Sequence, residues 1–159
     1  MTRTLSEFVE EVGVHFDRMG LPPMAGRVLG RLLVSDPPEQ SSAELEHALQ
    51  ASKGSISSTT TLLIRLGMVE RIRLPGDRKH YFMVRSGVWS RLMHDHLEQV
   101  TRLRELTERG LEILADAEPG QRERLEEMHS FHAFWEREIP RLIGKCERET
   151  NGRLSETAA

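Results

Sequence analysis

Hydroxyl and cationic side chains are concentrated in the short segment that follows Ser52. A helix through this segment would face Ile56, Thr60 and Leu63 inward. Its outer face would carry Lys53, Ser57, Ser58, Thr61 and Arg65, with Ser55 near its start. Hydroxyls bind phosphate oxygens or base edges, and Lys and Arg neutralise phosphate or reach guanine. The pattern favours binding to a nucleic acid, and helix capping with a solvated surface is the simpler alternative.

A second group of cations lies in the segment that comes next. From residue 53 to residue 85 the chain has seven Lys or Arg and two acidic residues, although its overall net charge is −3. Arg73 lies on a predicted strand, and Arg78 and Lys79 lie at a predicted tip that can enter a minor groove or grip the phosphate backbone. We expect Asp77 to orient Arg78. The alternative is a solvated hairpin whose charges prevent edge-to-edge pairing.

Other reactive side chains give weaker signals. His129 and His132 are one helical turn apart and could share a metal ion, but His132 lies on an apolar seam and packing explains it better. Cys146 is the single cysteine, which favours a buried thiol over a redox pair. The sequence has no glycine-rich phosphate loop, HExxH motif or nucleophile elbow. We therefore predict no enzyme, no cofactor and no metal site.

Aromatic residues in the C-terminal half provide a candidate small-molecule site. They are Trp89, Phe131, Phe134 and Trp135. These side chains could line an effector pocket between the core and the dimerising helices. Ordinary packing in an interface would use the same side chains and is the alternative.

Hydrophobic spacing predicts two helices before the polar segment. Apolar residues from Leu5 to Met19 recur every three or four positions, and Thr4 can form a capping box at the start of this helix. Gly20 ends it. A second amphipathic helix is predicted from Ala25 to Leu33, with its apolar stripe facing the core.

Two short helices are predicted next, joined by a tight turn. The first is capped by Ser41, paired with Glu44, and buries Leu45, Ala48 and Leu49. The second begins after Ser52 and is the helix that carries the hydroxyl and cationic side chains. Two short helices joined this closely cross at about 90–120°, which is the helix-turn-helix geometry.

A hairpin and two long helices complete the predicted fold. Apolar and polar residues alternate from Val69 to Val84, and Pro75–Gly76 suits a type II turn. Long helices are predicted over 88–117 and 121–150, separated at Pro119–Gly120. The second carries a heptad-like apolar seam that needs a partner helix; its residues are Leu125, Met128, His132, Trp135, Ile139, Leu142 and Cys146. The predicted fold class is mainly α with a small β-hairpin wing: a winged helix-turn-helix core with long N- and C-terminal dimerisation helices.

The segment SSAELEHALQASKGSISSTTTLLIRLGMVERIRLPGDRKHYF resembles the winged-helix core of MarR-type regulators, in particular their GbsR-like branch. The resemblance covers Leu21 to Val84. Its most specific parts are LIRLGMVER, residues 63–71, and PGDRK, residues 75–79. The resemblance implies a homodimer with intertwined N- and C-terminal helices, in which two recognition helices read a palindromic operator.

These patterns divide the chain into an N-terminal dimerisation helix (1–20), a winged helix-turn-helix domain (21–86), a C-terminal dimerisation region (87–150) and a frayed tail (151–159). The expected partners are double-stranded DNA, a second copy of the chain and a small-molecule effector. No apolar run is long enough to span a bilayer. We therefore expect a cytoplasmic location and no membrane partner. The predicted function is a transcriptional regulator, most simply a repressor. The alternative is a protein-interaction module on a winged-helix scaffold.

Overall fold

The computed structural model describes residues 4–157, with side chains from residue 4 to residue 149. It divides into two units, one that ends at Val88 and one that begins at Trp89. The described backbone is mainly helical and holds a small antiparallel sheet, which confirms the predicted fold class. Among these residues no helix has the length and apolar character needed to span a bilayer.

The first unit follows the predicted order of elements and adds one strand. Its elements are α1 (Leu5–Arg18), α2 (Pro23–Leu33), β1 (Gln40–Ser41), α3 (Ser42–Leu49), α4 (Lys53–Arg65), β2 (Val69–Ile72) and β3 (Tyr81–Val84). Capping boxes start α1 at Thr4 and α3 at Ser41, as predicted. Each box satisfies backbone N–H groups that the first turn of a helix leaves unpaired.

An apolar core joins the helices and the sheet of the first unit. The side chains with no exposed surface include Ala25, Val28, Leu45, Ile56 and Leu63. Two residues predicted to be buried are exposed, Leu33 on α2 and Ala48 on α3. Leu33 is the last residue of its helix, and on α3 the inward line is already completed by Leu45 and Leu49, which are four positions apart.

Helix α1 lies so close to α2 that only glycine fits at the contact. A Cβ atom on Gly26 would lie 2.4 Å from the carbonyl oxygen of Val12 and 2.8 Å from the Cα atom of Gly13. Val9 and Phe16 of α1 are buried on this side. The N-terminal helix is therefore part of the first unit and contributes to its core.

Strand β1 is the element that the sequence did not predict. It pairs antiparallel with β3, with Ser41 opposite Tyr81 and Gln40 opposite Phe82, so that the strand order is β1-β3-β2. A strand of two residues is too short to show alternation, and its second residue is also the cap of α3. The predicted hairpin is thus two strands of a three-stranded sheet with β3 in the centre.

The helices of the second unit are α5 (Val88–Ile113) and α6 (Pro119–Thr157), and Val100, Ile139 and Ile143 form its apolar core. Their bounds differ from those predicted. Pro119–Gly120 opens α6 instead of separating the helices, because the first helical position does not need the N–H that proline lacks. The backbone of α6 stays helical to residue 157, where the sequence predicted a frayed tail from residue 151; residues 158–159 lie outside the described residues.

Replacing Gly26 tests the close approach of α1 and α2. We expect Gly26→Ala to lower the free energy of unfolding by about 1–3 kcal/mol, because the new methyl group overlaps backbone atoms that cannot rotate away. Gly54→Ala is the control, since a Cβ there meets nothing within 4 Å, and it should leave stability unchanged or raise it by up to about 1 kcal/mol, because alanine favours a helix more than glycine does. Urea unfolding at one fixed protein concentration measures both. Equal effects of the two substitutions would contradict this contact.

Candidate nucleic-acid interface

Helix α4 separates a buried side from a polar side, as the sequence predicts. Ile56, Thr60 and Leu63 are buried in the core, and Thr59, which the spacing did not single out, is buried beside them. The predicted outer residues Lys53, Ser57, Ser58, Thr61 and Arg65 are exposed, Ser55 is half-buried, and Ile64 is the one large apolar side chain of α4 that is also exposed. The described surface of α4 therefore presents hydroxyl and cationic groups to solvent.

Two hydroxyls on this outer face donate to the helix backbone. The Oγ1 atom of Thr61 lies 2.8 Å from the carbonyl oxygen of Ser57, and the Oγ atom of Ser58 lies 3.0 Å from that of Ser55. Each hydroxyl oxygen keeps lone pairs that point away from the helix. A hydroxyl in this geometry can accept a hydrogen bond from an amino group, and adenine and cytosine present such groups in a major groove.

The N-terminus of α4 is open to solvent. Ser52 caps it by accepting the N–H of Ser55 at 3.2 Å, and both Lys53 and Gly54 are exposed. The space beside Gly54 is empty, so a bulky ligand atom can approach the backbone there. Backbone N–H groups at a helix start attract phosphate, and a lysine next to them strengthens this attraction.

Arg27 of α2 fixes α3, which precedes α4, against the first two helices. Its Nε atom donates to the carboxylate of Glu10 on α1 at 2.8 Å, and its Nη2 atom donates to the carbonyl oxygen of Leu49 at 3.2 Å. The chain then turns at Gln50, which has the left-handed conformation with φ of 49°. This single left-handed residue allows α4 to start almost at once in a new direction.

The hairpin of β2 and β3 forms the wing, and its tip has the predicted turn. The N–H of Asp77 donates to the carbonyl oxygen of Leu74 at 3.1 Å, and Gly76 has φ of 81°. These are the features of a type II turn with Pro75 and Gly76 at its two central positions. The cations of the wing are exposed, and they include Arg73, Arg78 and Lys79.

Asp77 has a different role from the one that the sequence suggested. Its Oδ1 atom accepts the backbone N–H of Lys79 at 2.9 Å, and its Oδ2 atom accepts the hydroxyl of Tyr81 at 2.7 Å. The hydrogen bond from Lys79, and then the one from Tyr81, lower the pKa of the Asp77 carboxyl below its usual value. The Asp77 carboxylate therefore holds the backbone of the tip, whereas the sequence predicted that it orients the Arg78 side chain.

The aromatic residues proposed as an effector pocket are only partly brought together. A groove of about 630 Å³ lies between α5 and α6, and Phe131 and Trp135 line it. Trp89 is not among the lining residues, and neither is Phe134, which contacts the ring of Trp135 with 5.4 Å between the ring centroids. The other lining residues are mostly apolar: Met93, His96, Gln99, Val100, Leu103, His132, Ile139, Leu142, Ile143 and Cys146.

The side chains considered for metal binding and redox chemistry have other surroundings. The Nδ1 atom of His132 lies 2.7 Å from the carbonyl oxygen of Met128, and the Nδ1 atom of His129 lies 3.3 Å from the hydroxyl of Thr107. Within the described residues no group of His, Cys, Asp or Glu is arranged to hold a metal ion. Cys146 is exposed and lines the open groove, so the predicted buried thiol is wrong.

Comparison with known proteins agrees with this architecture along most of the chain. A family model described as the MarR family matches residues 19–80, and one described as MmpR5-like MarR family transcriptional regulators matches residues 87–149. The HTH-type transcriptional regulator MmpR5 of Mycobacterium tuberculosis is 38% identical over 146 residues, which are 92% of this chain and 88% of that protein.

A solved structure agrees in fold as well as in sequence. The crystal structure of a transcriptional regulator has a TM-score of 0.76 and 38% identity to this protein, and the match covers 91% of this chain and 98% of that chain. The match thus includes the first unit, with its winged helix, and the long helices that follow. The protein therefore belongs to the MarR family of winged-helix transcriptional regulators.

Proposed function

We propose that the protein binds a specific double-stranded DNA site as a homodimer and represses transcription there. The observation that carries the proposal is the outer face of α4, where the exposed residues other than Gly54 and Ile64 are all hydroxyls or cations. The cationic wing follows α4 directly in the chain and belongs to the same unit. This is the arrangement that a winged helix uses to place one helix in a major groove and a hairpin beside it.

The two parts of this surface have different tasks. The outer face of α4 lies against the base edges, where hydroxyls and a guanidinium distinguish one base pair from another. The residues with this task are Ser57, Ser58, Thr61 and Arg65. Phosphate contacts at the flanks position the helix, and they come from Lys53, Ser55, Arg73, Arg78 and Lys79. Specificity thus depends on α4, whereas most of the electrostatic attraction comes from its N-terminus and the wing.

Both units expose apolar surface that supports a second copy of the chain as partner. On α1, Leu5 is 60% exposed and Val14 is 51% exposed, although the helix buries its other side. On α6, Phe131 is 59% exposed and Leu142 is 55% exposed, and both line the groove. Exposed apolar side chains on helices of this kind are typical of interaction sites. Two copies related by a twofold axis would present two α4 helices to a palindromic operator, about 34 Å apart.

Repression and a small-molecule effector belong to the same proposal. A dimer that covers a promoter excludes other proteins, so repression is the simplest result of binding. The apolar groove between α5 and α6 supports an effector with apolar chemistry, and it includes two of the four aromatic residues proposed for this role.

A regulator acts where the chromosome lies, so we also propose a cytoplasmic location. The GbsR-like branch stays a prediction, because the matching family models are MarR and MmpR5-like.

Removal of a wing cation tests the electrostatic part of the proposal. We expect Arg78→Ala to weaken binding to all duplexes by a similar factor, and to reduce the slope of log affinity against log salt by about one, since one phosphate contact is lost. Arg102→Ala is the control, because it removes the same charge from an exposed site on α5. Fluorescence anisotropy at several salt concentrations measures both. An unchanged slope for Arg78→Ala would show that Arg78 does not contact a phosphate of the DNA.

Substitution on the outer face of α4 tests whether this helix gives the protein its preference for one DNA sequence. Thr61→Val keeps the shape of the side chain and removes its hydroxyl, so we expect a changed preference at one base pair of each half-site, worth about 1–3 kcal/mol. Thr61→Ser retains the hydroxyl and should keep the original preference. Selection from random duplexes, followed by sequencing, compares the two variants with the parent protein. The same selected site for all three would contradict base contact by Thr61.

A further inference from the structure

The wing tip is held by a set of hydrogen bonds that we call the wing clasp. It consists of the Asp77 carboxylate, which accepts the Tyr81 hydroxyl at 2.7 Å and the Lys79 backbone N–H at 2.9 Å. The segment that the clasp closes, from residue 77 to residue 81, contains both exposed cations of the tip, Arg78 and Lys79. The clasp therefore lies within the segment whose side chains the proposed function places on DNA.

The chemistry of the clasp is that of a charge-assisted pair. The Asp77 pKa is lowered by its hydrogen bonds from Lys79 and Tyr81, so this carboxyl is ionised at neutral pH. The Tyr81 pKa is raised, first by its hydrogen bond to Asp77, so the phenol keeps its proton. Hydrogen bonds between a neutral donor and a carboxylate are shorter and stronger than those between neutral groups.

Tyr81 fixes one side of the clasp to the rest of the first unit. It is the first residue of β3, where its backbone pairs with Ile72 on β2 and with Ser41 on β1. Ser41 also caps α3, the first helix of the helix-turn-helix. Phe82, which follows Tyr81 on β3, is buried in the core. Tyr81 thus has a rigid backbone, and its hydroxyl reaches the tip from that fixed position.

We propose that Tyr81 is a positioning residue for DNA binding, because its hydroxyl holds Asp77 and so presets the tip conformation that presents Arg78 and Lys79. A flexible tip would have to become ordered when it binds, and a tip that is already ordered loses less entropy in that step. The inference rests on the proposed function, since it assumes that the wing cations contact DNA. It adds a residue that does not itself touch DNA.

A double-mutant cycle tests this role. Tyr81→Phe removes only the hydroxyl, and we expect it to lower affinity for the selected duplex by roughly threefold to tenfold. The same substitution in an Arg78→Ala/Lys79→Ala background should cost nothing, because the groups that the clasp positions are gone. Thermal melting of each variant checks that the fold is kept. Backbone ¹⁵N relaxation of the unbound protein should show greater mobility at residues 78 and 79 in Tyr81→Phe.

The outcomes separate the inference from the proposed function. If Arg78→Ala/Lys79→Ala weakens binding but Tyr81→Phe does not, the proposed wing contact stands and the positioning role is wrong. An equal loss from Tyr81→Phe in both backgrounds would also overturn it, because the hydroxyl would then act on the fold as a whole. If removal of both cations leaves affinity unchanged, the wing contact itself is wrong and the inference falls with it.

Discussion

Burial of Ile56 and Leu63 determines which side of α4 faces solvent, and the candidate interface depends on that orientation. Both side chains have no exposed surface, and burial of each stabilises the fold by about 1.5–3 kcal/mol. A rotation of α4 about its axis would expose them and bring Thr61 and Arg65 toward the core. The hydroxyl and cationic groups are therefore presented outward because the opposite side of the same helix is held by packing, not because of any property of their own.

The sheet connects this helix to the wing. Its central strand, β3, pairs with β2 to form the hairpin and with β1, whose last residue caps α3. Val69 and Phe82 of the hairpin are buried in the same core as Ile56. A single apolar cluster thus fixes both the helix that reads bases and the strands that carry the tip cations. The wing clasp extends this order to the residues beyond the last strand pair.

Much of the first unit could be predicted from the sequence because its signals are local. The inward face of α4, the capping boxes and the turn at Pro75–Gly76 each depend on a few neighbouring residues. The close approach at Gly26 and the pairing of β1 with β3 depend on residues far apart in the chain, and no short pattern shows them. In the second unit the apolar seam was visible in the sequence, but which of its residues are buried depends on how α5 and α6 pack. That packing buries Ile139 and leaves Leu142 and Cys146 exposed.

Specific recognition of DNA is the central claim, and the binding ratio between two duplexes tests it most directly. Fluorescence anisotropy should be measured with the DNA upstream of the protein's own gene and with a scrambled duplex of equal length, at physiological salt. We expect the native duplex to bind about a thousandfold or more tightly, with an affinity that falls as salt rises. Equal, weak binding to both duplexes, together with no preferred sequence in a selection from random duplexes, would contradict it. The winged helix would then be a scaffold for interaction with another protein.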